Sequence, residues 1–188
     1  MSSMTFSFGP DLVEDRVWLR LNQTGDLIWI SRRLTQFVLA AAAKRFGEHV
    51  NTNDLSVATA GHVTINAIEM EHELAISEIE SAHLPSGTGS SSPVQYGADP
   101  VSNEQIQNSA LCKVITMTTH ENGIELLLEA TDGRHFEMRM ARAGFHRFLR
   151  ALWLVASRMD WSLQDVPAWL SRNYLPASLA SALSKPAP

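Results

Sequence analysis

The chain has 188 residues, 45% hydrophobic and 19% charged, with a formal net charge of −5. That size supports one packed domain, or two half-domains around a shared core, with no need of a disulfide or metal. The acidic balance argues against a general nucleic-acid footprint. Cys112 is the only cysteine, which excludes an intramolecular disulfide and fits a reducing cytoplasm.

Charge is uneven along the chain. Residues 1–82 carry eleven acids against six Arg and Lys, whereas residues 83–188 carry nine of each, and a local basic patch is still compatible with these totals. The opening MSSMTFSFGPDLVEDR has neither the basic nor the apolar region of a secretory signal. The longest apolar runs, FVLAAAA and ALWLVA, fall far short of the roughly 20 residues that cross a bilayer. A soluble, cytoplasmic protein with no membrane contact is expected.

Taken in order, MTFSFG can form a strand that Pro10 confines to an edge. Val17, Leu19 and Leu21 alternate with Trp18 and Arg20, the period of a half-buried strand. QTGD turns the chain through Gly25, and LIWIS returns as the next strand. Ser31 suits the N-cap of a helix. Leu34, Phe37, Val38, Ala41 and Ala42 are its expected core face, and Gly47 its end. Residues 47–65 read mostly as loop. NAIEMEHELAISEIESAH then reads as an acidic helix on the surface or partly against the core, opened by an Asn66/Glu69 capping box.

From Leu84 to Ser109 the composition turns to Gly, Ser, Pro and Asn, as in a flexible linker. Strands resume with ALCKVITMTT and IELLLEA. The Asp132-Gly133 turn then leads into HFEMRMA, where Phe136, Met138 and Met140 alternate with Glu137, Arg139 and Ala141. A helix from about Arg142 to Met159 presents Phe145, Phe148, Leu149, Leu152, Val155, Ala156 and Met159. A short last helix is expected near SLQDVPAWLSRNYL, with Ser162 and Asp165 as its cap.

The fold class expected is therefore α+β: an antiparallel β-meander followed by a helix, written twice as a weak pseudo-repeat, joined by a flexible linker, with helices packed on the sheets. The organisation is 1–82 for the first half with its extra acidic helix, 83–109 for the linker, and 110–188 for the second half, the halves sharing one core. A shift of 111 residues lays Leu34 on Phe145, Phe37 on Phe148, Val38 on Leu149 and Ala41 on Leu152, and in the preceding strand Leu27 on Met138 and Trp29 on Met140. A three-stranded meander with one helix exposes too much apolar surface alone, so the two are expected to press together.

Motifs for chemistry are sparse. The histidines are His49, His62, His72, His83, His120, His135 and His146, with no HExxH and no CxxC among them. Glu69, His72 and Glu73 could share a helical face, as in carboxylate-bridged metal sites, but matching ligands elsewhere are lacking, and a solvated acidic face is the preferred reading. No G-x-S-x-G, phosphate loop or G-x-G-x-x-G occurs. No cofactor, metal or catalytic residue is assigned, and Cys112 reads as a small core hydrophobe.

Arg139, Arg142, His146 and Arg150 form a stripe at spacings of three, four and four, which could meet an acidic partner or phosphates, or pair with the glutamates of residues 69–80. Trp18 alternates outward beside Arg20, and Trp169 lies in the tail. Partly exposed aromatics of this kind either mark a binding surface or cover the sheet from the tail side. The candidate contact residues are therefore Trp18, Arg20, Arg139, Arg142, His146, Arg150 and Trp169. The leading expectation is a non-catalytic interaction module, an adaptor or accessory subunit, binding a protein partner or a second copy of itself. Single-stranded nucleic-acid binding through a sheet face and the arginine stripe is the alternative, which the acidic charge disfavours. An enzyme of unfamiliar type is the third reading.

Overall fold

A computed structural model of the chain describes residues 5–48, 67–77, 94–95, 101–164 and 166–171. Three strands come first: β1 (Phe6–Asp11), β2 (Arg16–Leu21) and β3 (Leu27–Ser31). They pair in sequence as an antiparallel meander. Gly25 has φ +77° in the β2–β3 turn, the left-handed conformation that glycine adopts without steric cost. Helix α1 (Arg32–Glu48) follows at once, and the Ser31 hydroxyl accepts from the Leu34 amide at 3.4 Å, the expected N-cap. Residues 67–77 form α2.

A second meander runs through β5 (Ala110–His120), β6 (Gly123–Ala130) and β7 (His135–Met140). Gly133, φ +87°, makes the expected Asp-Gly turn between the last two. It leads into α4 (Arg142–Arg158). The last described helix is α5 (Ala168–Ser171), which starts after Pro167 rather than at Ser162. The Pro167 carbonyl accepts from the Leu170 and Ser171 amides, so the proline sits where a helix tolerates one.

All strands join one mixed sheet in the order β4-β1-β2-β3-β5-β6-β7, where β4 is the short strand Val94–Gln95. The two meanders meet in parallel only at Ile28–Ala110 and Trp29–Leu111. At the other edge β4 pairs with Phe6 and Ser7, short of Pro10, which has no amide to offer a further strand.

Part of the expected linker belongs to this fold. Besides β4, residues 103–107 form α3 (Asn103–Gln107), opened by a complete capping box between Ser102 and Gln105. Val101 packs on Trp18, Leu27 and Trp29. The Ser109 hydroxyl accepts from Trp29 Nε1 at 2.7 Å. Residues 83–93 and 96–100, like residues 49–66, lie outside the described residues.

The helices α1 and α4 lie on one face of the sheet and touch each other. The main apolar core contains Phe6, Val17, Leu19, Ile28 and Ile30 from the first meander, Leu126, Leu128 and Met138 from the second, and the inner faces of both helices. Phe148 of α4 reaches across to β1, its ring edge-on to Phe6 and Phe8 at 5.3 and 5.1 Å.

Two expectations about helix faces change. Phe37 is 57% exposed, and α1 instead buries Thr35, Val38, Leu39 and Ala42. The burial of the two strand–helix units agrees at an offset of 110 residues: Arg32 and Arg142 open the helices, Ile28 and Ile30 match Met138 and Met140, and Val38 and Leu39 match Phe148 and Leu149. An offset of 111 turns a strand over and rotates a helix by about 100°, so Phe37 falls on buried Phe148 and Trp29 on a residue of the opposite sheet face.

Candidate functional site

The most unusual chemistry in the described residues sits between α2, α4 and α5. Helix α2 buries Ile68, His72, Ala75 and Ile76, spaced as one helical face, and exposes Met70 and Leu74. Helix α4 turns Arg142 and, one turn on, His146 to meet it. His72 and His146 are both 0% exposed, and their Nδ1 atoms lie 3.1 Å apart. The Trp169 ring stands edge-on to both imidazoles, at 4.9 and 5.6 Å between centroids. His72 therefore does not sit on a solvated acidic face with Glu69 and Glu73, and those three residues form no common ligand set.

The pair is wired to charge on one side. Glu71 Oε2 lies 3.6 Å from His146 Nε2, and the same carboxylate takes a two-pronged contact from Arg142, Nε to Oε1 at 2.7 Å and Nη2 to Oε2 at 2.8 Å. His146 and Arg142 together hold the Glu71 carboxyl down to about 2, against 4.5 ordinarily. The guanidinium is the closer of the two, and the pairing in turn raises Arg142. On the other side, burial pushes His72 down to about 3, helped by the positive fields of His146 and Arg150.

The Nδ1–Nδ1 contact needs a proton on one ring and a bare nitrogen on the other. His146 Nε2 faces the ionised Glu71, so a proton there serves the carboxylate, and either ring can be the Nδ1 donor to the other. The result is a relay of Arg142, Glu71, His146 and His72 spanning two helices. Around it, Arg147 Nε donates to the Ala75 carbonyl at 2.8 Å. Arg150 Nη1 donates to the Leu170 carbonyl at 2.8 Å, with its guanidinium over Trp153. Polar hooks from α4 thus hold both α2 and α5.

Four of the residues singled out in the sequence, Arg142, His146, Arg150 and Trp169, meet in this cluster, but three of them are buried and not presented to solvent. The arginine stripe is divided as well. Arg139 lies on β7, exposed and paired with Glu125 and Glu137. Trp18 and Arg20 are remote from it. Trp18 is buried on the sheet face opposite the core, paired in register with Gly9 and Trp29. Arg20 lies over the Trp18 ring, with Nε on the Ser7 hydroxyl at 3.2 Å, and Arg16 lies over Trp29. His72 is the member that sequence reading missed. Its signal was position: it falls between Ile68 and Ala75/Ile76, on the face of α2 that those residues make apolar.

Cys112 is buried, and burial raises its thiol to about 11, which makes it inert at neutral pH. Among the described residues no group of three or more His, Cys, Asp or Glu could hold a metal ion. No described helix is long and apolar enough to cross a membrane.

A different surface is open. The outer face of the second meander shows Val114, 42% exposed, and Leu127, 37% exposed. Thr116 is the register partner of Leu127 and Glu129 that of Val114, which makes the two apolar residues diagonal neighbours. Leu111 lies further along β5 and is also exposed. Lys113 and Glu129, and Arg139 with Glu125 and Glu137, form ion pairs around them.

Comparison with known protein families, curated proteins and solved structures finds no match to this chain.

Proposed function

We propose that the chain is a non-catalytic interaction module of the cytoplasm, an adaptor or accessory subunit that binds a partner protein or a second copy of itself. The observation that carries this reading is the exposed Val114/Leu127 pair on the outer face of the second meander, continued by Leu111. An apolar centre with ion-paired charges around it has the layout of a protein contact surface. Arg139 stands at the rim of that surface. Trp18, His146, Arg150 and Trp169 act in this reading through the fold, since they are buried.

The nucleic-acid reading receives less support. A basic and aromatic sheet face does exist, Trp18 and Trp29 with Arg16 and Arg20, but both indoles are buried, whereas stacking needs an open ring face.

The test pairs light scattering with affinity capture, using the wild-type chain and a Val114→Asp/Leu127→Asp variant whose circular dichroism matches it. A dimer, or a defined partner, present for the wild type and lost in the variant supports the proposal. A monomeric wild type that captures nothing, or a variant that captures the same partner equally well, counts against it.

A further inference from the structure

We propose that the His72–His146 contact is a proton-sensitive latch: it holds α2 against α4 at neutral pH and loosens that hold in mild acid. This device lies in the helix layer and stands independently of the contact surface on the outer sheet face. The geometry requires one proton to be shared. Two Nδ1 atoms 3.1 Å apart make a hydrogen bond only when one is protonated and the other bare. Protonate both rings at Nδ1, and two N–H groups meet head-on. Protonate His72 at Nε2 instead, and an imidazolium is created in a site with no exposure to water.

The charges facing the pair decide which histidine resists. From α2 come Glu71, which serves His146, and Glu69 and Glu73 on neighbouring faces. From α4 come Arg142, His146, Arg147 and Arg150. Helix α5 presents Trp169 and the Leu170 carbonyl and has no ionisable side chain. Glu71 is already committed to Arg142 and His146, while Arg150 adds positive potential at His72. A proton arriving at His72 is therefore opposed by burial and by like charge at once. The way to accept it is to open the α2–α4 interface, which hydrates both rings and uncovers Ile68, Ala75 and Ile76.

The sign and size follow from linkage. His72 is pushed to about 3 in place and returns to its ordinary 6.5 when α2 is released. Acid therefore favours release over the window from 6.5 down to 3. Between pH 7.5 and pH 5 the opening equilibrium rises roughly thirtyfold from this one residue.

Hydrogen exchange of the full chain, followed by mass spectrometry at pH 7.5 and pH 5 and corrected for the intrinsic pH dependence of exchange, reads the latch directly. Amides of residues 67–77 should lose protection by roughly thirtyfold at pH 5, while those of β6 and the centre of α4 keep theirs. Equal α2 protection at both pH values overturns the proposal. So does loss of protection in β6 together with α2, since the release would then be global unfolding. In His72→Phe the α2 amides should be nearly indifferent to this pH change, and retention of the wild-type pH dependence overturns the latch. Should that variant not fold, imidazole 15N shifts of the wild type serve instead: a neutral His72 at pH 7.5 that gains its proton together with α2 release supports it, and an imidazolium with α2 still protected at pH 5 overturns it.

Discussion

The Trp18 indole occupies the space that a side chain on Gly9 would need. The two are register partners on β1 and β2, and a Cβ built on Gly9 would collide with the indole ring. Gly9 is thus required for close approach, not for a turn. Gly9→Ala should force the indole out from its place over the strand and cost about 1–3 kcal/mol, as overpacking does, and Gly9→Val should cost more. Urea denaturation with tryptophan fluorescence checks both effects at once. An unchanged midpoint with an unchanged spectrum would show that the indole is not held there.

The contrast between Phe37 and Phe148 gives a second prediction. Both are helical phenylalanines preceding apolar residues, yet one is 57% exposed and the other 2%. Phe148→Ala should cost about 3–5 kcal/mol, because it empties the contact with Phe6 and Phe8. Phe37→Ala should stay within about 0.5 kcal/mol. Similar losses from the two would show that the α1 face is assigned wrongly.

The same contrast shows where sequence stops being informative. Strands and helix starts were legible, because alternation at Val17/Leu19/Leu21 and at Phe136/Met138/Met140, the Asp132-Gly133 turn and the Ser31 cap each leave a local mark. The face of α1 was not. Every residue from Phe37 to Ala43 is apolar, so no stripe is defined, and the buried Thr35 hides the true one. Helix α3 was missed within a stretch of linker-like composition, although Ser102-x-x-Gln105 spells a capping box. The histidine pair could not have been found by spacing. His72 and His146 are 74 residues apart and meet only because α2 docks on α4.

A third prediction concerns Asp15 and Trp161. Asp15 holds φ +51° between β1 and β2, and its carboxylate accepts from Trp161 Nε1, tying the segment after α4 to the first hairpin. Asp15→Ala loses the acceptor and puts a residue without a local hydrogen bond in the left-handed region. It should cost about 1–2 kcal/mol. Asp15→Asn keeps an acceptor oxygen and tolerates the same backbone, so it should cost about half as much or less. Chemical denaturation of the three proteins orders them. Equal stability of the alanine and asparagine variants would remove the hydrogen bond from the explanation.

The ion pair between Glu71 and Arg142 makes the last prediction, and its sign can be worked out. Glu71 falls from 4.5 when unfolded to about 2 in the fold, so its contribution is complete above 4.5 and is lost as pH falls toward 2. A shift of that size corresponds to about 3 kcal/mol at most. Both side chains are about one-third exposed, so screening by water reduces this to about 1–2 kcal/mol. Glu71→Gln should therefore lie below the wild type by that amount at pH 7, hold the gap down to pH 5, and close it steadily between pH 4.5 and pH 2. His72 is present in both proteins, and its own loss between 6.5 and 3 steepens both curves. The difference between the curves isolates the carboxylate as long as the substitution leaves the His72 shift in place. Urea midpoints measured across this range decide it: a gap that persists at pH 2.5, or none at pH 7, would mean that Arg142 and Glu71 meet without stabilising the packing of α2 on α4.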